Sequence, residues 1–225
     1  MTMPDAGFLL IWSDIDEAAE TDYLHWLMRE HTTERLATEG FIAVRVFRSL
    51  VANPRRYLIN YELGSAAAIS SPDYVSKLNN PTPWTRRIMP QLRNFIRGGG
   101  SVACSAGLGR GGYVAALPCA ALVRADDVRL VEALARCDRI AAVRLYETDR
   151  ARTSIRTTEK ETRGMGRGAD DQSFACVLLI EGSDADAVRA AHARLPGLSP
   201  DSAFEKDADP AIYGAVFALD KRMLP

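Results

Sequence analysis

The stretch AVRVF, Ala43–Phe47, returns 99 residues later as AVRLY, Ala142–Tyr146. Each copy follows a helical pattern and precedes a second strand-like run, so the pair marks an internal repeat. A second match aligns YLINYELGSAAAI (Tyr57–Ile69) with ACVLLIEGSDADAV (Ala175–Val188), now at an offset of 118. The 19-residue difference requires an insertion in the second half. The stretch RARTSIRTTEKETRGMGRGADDQS, Arg150–Ser173, is polar, glycine-bearing and aperiodic, and is expected to be a long exposed hairpin loop or a disordered excursion.

Around these anchors each half reads as strand, helix, strand, strand, helix, strand. The first half places strands at Phe8–Trp12, Phe41–Ser49, Arg56–Leu63 and near Phe95–Ala106, with helices at Thr21–Glu39 and Ala66–Leu78. The second places strands near Val114–Val123, Ile140–Thr148, Phe174–Ile180 and Ile212–Leu219, with helices at Asp126–Arg136 and Ser183–Arg194. The glycines between Gly98 and Gly112 disfavour a continuous central strand and suggest bulges and a domain junction. The order βαββαβ is the ferredoxin-like unit, an antiparallel sheet with both helices on one face. Its open face must be covered. Two tandem units, residues 1–110 and 111–225, can cover each other as an α+β barrel with helices outside.

Composition narrows the function. The 225 residues are 47% apolar, enough to bury a core, and 28 basic against 29 acidic residues give no positive field for nucleic acid. Cys104, Cys119, Cys137 and Cys176 are scattered without CxxC spacing and fit small buried hydrophobes. The run after Asp5 is too short for a signal peptide, and no segment has the apolar length of a membrane span. A cytoplasmic location fits. No HxxxH or HExxH metal spacing occurs, the glycine run lacks a P-loop ending, and no nucleophile elbow is present. No metal or cofactor is therefore expected.

The candidate site lies in YLHWLMREHTTERL, Tyr23–Leu36. At 100° per residue Leu24, Leu27, Met28 and His31 share one apolar stripe, while His25 falls on a polar face with Asp22 and Arg29. His31 is either a core histidine satisfied by a carbonyl or sheet side chain, or a proton-transfer group. Trp26 flanks the stripe, as a structural residue or the wall of a pocket for a flat ligand. Arg35 can complement the helix C-terminal carbonyls, its commoner use, or hold an anionic substrate group. Glu30 and Glu34 read as a solvated face paired with arginines.

Elsewhere, Arg45 sits among apolar strand neighbours and needs an anion, with Glu62 the candidate. Arg144 matches it, which favours a salt bridge repeated by duplication. Tyr61 alternates with Asn60 and Glu62. The turn NNPTPWTRR, Asn79–Arg87, fixes Trp84 where it can close a pocket or pack over the barrel end. His192 lies in a surface-like alanine-arginine helix, and the first helix of the second half has no polar residue on its stripe.

The step from Trp26 to His31, ERL at Glu34–Leu36, GF at Gly40–Phe41, YEL at Tyr61–Leu63 and the segment Ser71–Arg87 resemble the dimeric α+β barrel superfamily, in its EthD-like and antibiotic-biosynthesis-monooxygenase-like branches. The resemblance covers about 110 residues well. It implies a small-molecule enzyme acting on an aromatic, lactone or polyketide-like substrate by cofactor-free acid/base or oxygenation chemistry. His31 would be the acid or base; Trp26, Arg45, Tyr61 and Trp84 would bind substrate. It also admits a noncatalytic protein for a small apolar ligand or haem, a structural module, and a homo-oligomer.

Overall fold

The computed structural model describes residues 6–51, 53, 55–162, 174–199, 204 and 210–224. From the N-terminus run β1 (Gly7–Ile15), α1 (Glu17–Trp26), a π turn (Leu27–His31), α2 (Thr32–Leu36), β2 (Phe41–Ser49), β3 (Arg55–Leu63), α3 (Pro72–Asn79), α4 (Pro83–Ile88) and β4 (Arg93–Gly107). Then come β5 (Tyr113–Cys119), α5 (Asp127–Ala135), β6 (Ile140–Thr148), α6 (Arg150–Thr153), α7 (Thr158–Thr162), β7 (Cys176–Gly182), α8 (Ala185–His192), α9 (Leu195–Leu198) and β8 (Ile212–Asp220).

The eight strands close in the order β1-β3-β2-β8-β5-β7-β6-β4, every neighbour antiparallel. Closure removes the unpaired strand edges that an open sheet would leave. The order is β4-β1-β3-β2 within the first half and β8-β5-β7-β6 within the second, and the halves join through β2–β8 and β4–β6. The barrel is thus sealed by edge pairing.

Side-chain alternation sorts the apolar residues into three cores. Phe8, Leu10, Phe47, Leu58, Tyr146 and Leu179 belong to the barrel core, where the Phe8 and Tyr146 rings stack at 4.3 Å. A second cluster lies between the first-half strands and their helices, and a third does the same in the second half. β1 is buried along its whole length, because one face meets the barrel core and the other the helix layer. Cys104, Cys119 and Cys176 are buried and Cys137 half-buried, all as free thiols.

Four sequence readings are corrected. The glycine run does not break the chain: β4 is one strand of 15 residues, pairing with β1 and β6, with a register shift between Val102 and Cys104. Glycine is needed there because a Cβ on Gly98 would overlap the Phe174 ring and one on Gly100 the Glu147 carbonyl oxygen. The helix expected over Ala66–Leu78 divides into a 3-10 turn at Ala66–Ser70 and α3, since Ser71 caps α3 by accepting from the Tyr74 amide at 3.2 Å and Pro72 opens it. The proline-rich turn contains α4, capped by Thr82 at 3.0 Å from the Thr85 amide.

The fourth correction concerns the insertion. Residues 150–162 form α6 and α7, capped by Asp149 and Thr157, and bury Thr153, Thr157 and Glu159. They fold onto the first half: the Thr158 amide donates to Asn79 Oδ1 at 3.0 Å and Arg97 donates to the Thr153 carbonyl at 3.3 Å. Residues 163–173 lie outside the described residues.

Gly100→Ala is expected to destabilise the chain by about 1–3 kcal/mol through forced backbone displacement. Gly112, where a Cβ would meet nothing within 4 Å, is the control. There alanine should be neutral or stabilise by about 0.4–1 kcal/mol. Urea midpoints of the two variants measure the difference; equal midpoints would refute the close-approach argument.

Candidate functional site in the helix–sheet layer

The π turn sets the geometry of the first-half layer. The Thr32 amide bonds the Leu27 carbonyl, and the Thr32 hydroxyl donates to the same oxygen at 2.7 Å. One residue is thereby added to the turn, a feature frequent at functional sites. The buried face becomes Tyr23, Trp26, Leu27, His31, Thr32, Arg35 and Leu36, while Leu24 and Met28 are only half-buried. His31 is on the inward stripe, as expected. Trp26 is not at its flank: five residues earlier than His31 and in phase with it across the wide turn, it is buried with ring centroids 4.1 Å apart.

Trp26 is fixed by its indole N–H, which donates to Thr85 Oγ1 of α4 at 3.1 Å. Tyr61, on the helix-facing side of β3, packs edge-on to Phe41, and its buried hydroxyl has no hydrogen-bond partner among the described residues. Burial raises the Tyr61 pKa well above the ordinary phenol range, with Arg35 pulling it the other way.

Arg35 is 2% exposed and does not cap the helix. Its Nη2 donates to Glu159 Oε2 at 2.5 Å, across 124 residues of sequence. Its Nη1 lies 3.5 Å from Glu34 Oε2 and makes no hydrogen bond. The guanidinium carbon is 5.7 Å from the Tyr74 ring centre. Burial opposes the charge, but Glu159, then Tyr74 and Glu34, outweigh it and hold the Arg35 pKa above its ordinary value. Glu34 is half-buried, and desolvation raises its pKa against the pull of Arg35.

The remaining candidates lie elsewhere. Trp84 braces the outer side of α1, its indole N–H on Asp22 Oδ1 at 3.1 Å and Arg87 over its ring. Arg45 belongs to the barrel interior, where it donates both ends of its fork to Glu181 at 2.6 and 2.8 Å. Glu62, its expected partner, is 3.8 Å from Arg45 Nε and takes Arg110 at 2.5 Å. Arg144 also bonds Glu181, so two matching strand arginines share one carboxylate. His192 is corrected from surface to buried: it lines a cleft of about 210 Å³ with Trp12, Arg56 and Tyr213, beneath Pro210 and Ala211. Clefts of about 560 Å³ beside Arg48, Val51 and Tyr113, and about 440 Å³ beside Asp14, Asp16 and Arg93, complete the three described. None of the three is lined by His31.

The sequence reading missed Glu159 and Tyr74. Asp149 and Thr157, each followed three residues on by the amide it caps, are the local signals that short helices start there. Which carboxylate meets Arg35 has no local signal.

No family model matches the sequence, and no curated protein matches it. Solved structures do. A candidate monooxygenase from Fusobacterium nucleatum superposes with a TM-score of 0.58 at 11% identity, over 97% of this chain and 96% of that one. An anthrone oxidase-like protein gives 0.53 at 13% identity, over 96% and 94%. The chlorite dismutase of Candidatus Nitrospira defluvii, solved with imidazole, gives 0.53 at 8% identity, over 94% and 91%. The chain has the α+β barrel fold. At these identities the likeness concerns the fold and not the chemistry. Among the described residues no helix is long and apolar enough to cross a membrane, and no cluster of three or more metal-ligating side chains occurs.

Proposed function

We propose that the chain is a small-molecule enzyme of the dimeric α+β barrel superfamily, EthD-like, built from two tandem ferredoxin-like units divided near residue 110. Its substrate is aromatic, lactone-like or polyketide-like, and its site is the first-half helix–sheet layer. The observation that carries this reading is the set of titratable side chains, His31, Arg35, Tyr61 and Glu159, buried in a layer whose core is otherwise apolar residues and threonines. The corresponding helix of the second half, α5, buries Leu130, Val131 and Leu134. Against the sequence expectation it also buries a charged residue, Asp127, in place of the exposed Val128, and that carboxylate accepts from the nearby Arg124 amide at 2.7 Å. A buried imidazole four residues before a buried guanidinium on the same helical stripe is suited to take a proton from an acidic carbon and leave the resulting enolate facing positive charge. Trp26 and Tyr61 would shape the site. A cytoplasmic location and self-association belong to the same reading.

Haem does not fit beside His31. The ring lies against Trp26, and the layer around it is filled by Tyr23, Leu27 and Leu36. The same packing favours a second reading, a noncatalytic barrel in which His31 is a core residue.

Oxygen uptake with anthrone, giving anthraquinone and water, separates the two. The wild-type chain is expected to consume oxygen, and His31→Gln to lose about 10²–10⁴-fold in rate while staying folded. Equal rates in the two proteins would remove His31 from the chemistry, and no oxygen uptake across a panel of anthrones together with no isomerisation across a panel of lactones would favour the noncatalytic barrel.

A further inference from the structure

We infer that the buried Arg35 guanidinium anchors a binding site for a carboxylate carried on a flat apolar body, and that Glu159 holds the place of that carboxylate in this structure. This rests on the reading of the helix–sheet layer as the ligand site. Three observations support it independently of His31. Arg35 offers a planar fork suited to bidentate carboxylate binding. Glu159 uses only one of its ends, whereas Glu181 engages both ends of Arg45. The Tyr61 hydroxyl is wholly buried, has no hydrogen-bond partner among the described residues, and lies within the electrostatic reach of Arg35 and Glu159.

The source of Glu159 is a further point. It arrives on α7, a helix of five residues in the insertion that breaks the internal repeat, and it docks on the first half from outside. A buried ion pair is weak evidence for stability, because desolvation offsets most of the attraction. The Glu159 carboxylate is therefore an exchangeable occupant. The Tyr74 ring beside Arg35 continues through ring contacts to Phe41 and Tyr61, an apolar surface that suits an aromatic ring. A ligand carboxylate that bonds both ends of Arg35, with the Tyr61 hydroxyl donating to it, would replace Glu159 and lift residues 150–162.

The test is chemical rescue in the full-length chain. Glu159→Ala should gain thermal stability with sodium benzoate, Tm rising by about 5–10 °C at a hundred times its Kd, and gain nothing from benzamide. Arg35→Met combined with Glu159→Ala should show no rise. His31→Gln combined with Glu159→Ala should keep the rescue, so that a failed role for His31 and a failed anion site give different results. Absence of a benzoate-dependent shift in Glu159→Ala, or an equal shift without Arg35, overturns the proposal. If Glu159→Ala does not fold, the wild-type chain decides. Benzoate should speed tryptic cleavage at Arg156 and Lys160 by tenfold or more, and an unchanged cleavage rate overturns it.

Discussion

Glu181→Gln is expected to cost about 3–5 kcal/mol of stability, enough to leave the chain unfolded at modest urea concentrations. Glu181 is fully buried and accepts from Arg45 twice, from Arg144, and from the Gly111 amide at 3.1 Å. Glutamine keeps the volume and removes the charge, so two guanidiniums face one another inside the barrel. Burial works against the Arg45 charge, and bonding to Glu181 is what keeps its pKa above the ordinary value. Replacing Arg45, Arg144 and Glu181 together by Met, Met and Leu should recover most of the loss, because the desolvation of three charges is removed with their attraction. Urea denaturation of both variants measures this. A loss below about 1 kcal/mol for Glu181→Gln would mean that water reaches the cluster through the 18%-exposed Arg144 side chain.

That cluster also shows what the sequence could and could not reveal. The AVRVF and AVRLY copies exposed two matching arginines, and their strand positions required an anion. Glu62, local in the β2–β3 pairing, is a secondary ion pair at 3.8 Å, whereas the principal partner, Glu181, lies across 136 residues and was not legible. The same limit governs the candidate site. Hydrophobic periodicity turned His31 inward correctly, because a residue added four or five positions along a helix stays near the stripe. It misplaced Trp26, since a π turn has no pattern of its own in a wheel drawn at 100° per residue. The insertion was visible as an insertion, but five-residue helices carry too few periods to be seen, and the buried Glu159 is tied to Arg35, 124 residues away. Pattern reveals elements that bury an apolar stripe; it does not reveal which charge crosses from one half to the other.

Alkaline pH should unfold the protein steeply. Tyr23, Tyr61 and Tyr146 are buried, and burial is the leading cause that raises each phenol: Tyr146 is pushed up to about 12, Tyr61 well above the ordinary range, and Tyr23 likewise upward despite its bond with Ser13. In the unfolded chain all three release their protons near pH 10. Below that pH both states hold the protons, and stability does not depend on these groups. Above it the unfolded state binds fewer protons than the folded one, so stability falls as pH rises, by up to about 4 kcal/mol per pH unit until the folded phenols ionise. A chain of ordinary stability would be unfolded by about pH 12. Urea midpoints at pH 8, 9, 10 and 11 should fall slightly across the first two, where the thiols of Cys104 and Cys176, pushed up by burial to about 11 and about 12, begin to ionise in the unfolded chain, and drop steeply across the last two. Tyr61→Phe refines the test, because its hydroxyl has no hydrogen bond to lose. At pH 8 the variant should match or exceed the wild type, and above pH 10 its slope should be shallower by about 1.4 kcal/mol per pH unit. A destabilised Tyr61→Phe at pH 8 would show that the hydroxyl is bonded within the layer. That result would remove the phenol as a free donor for a carboxylate on Arg35.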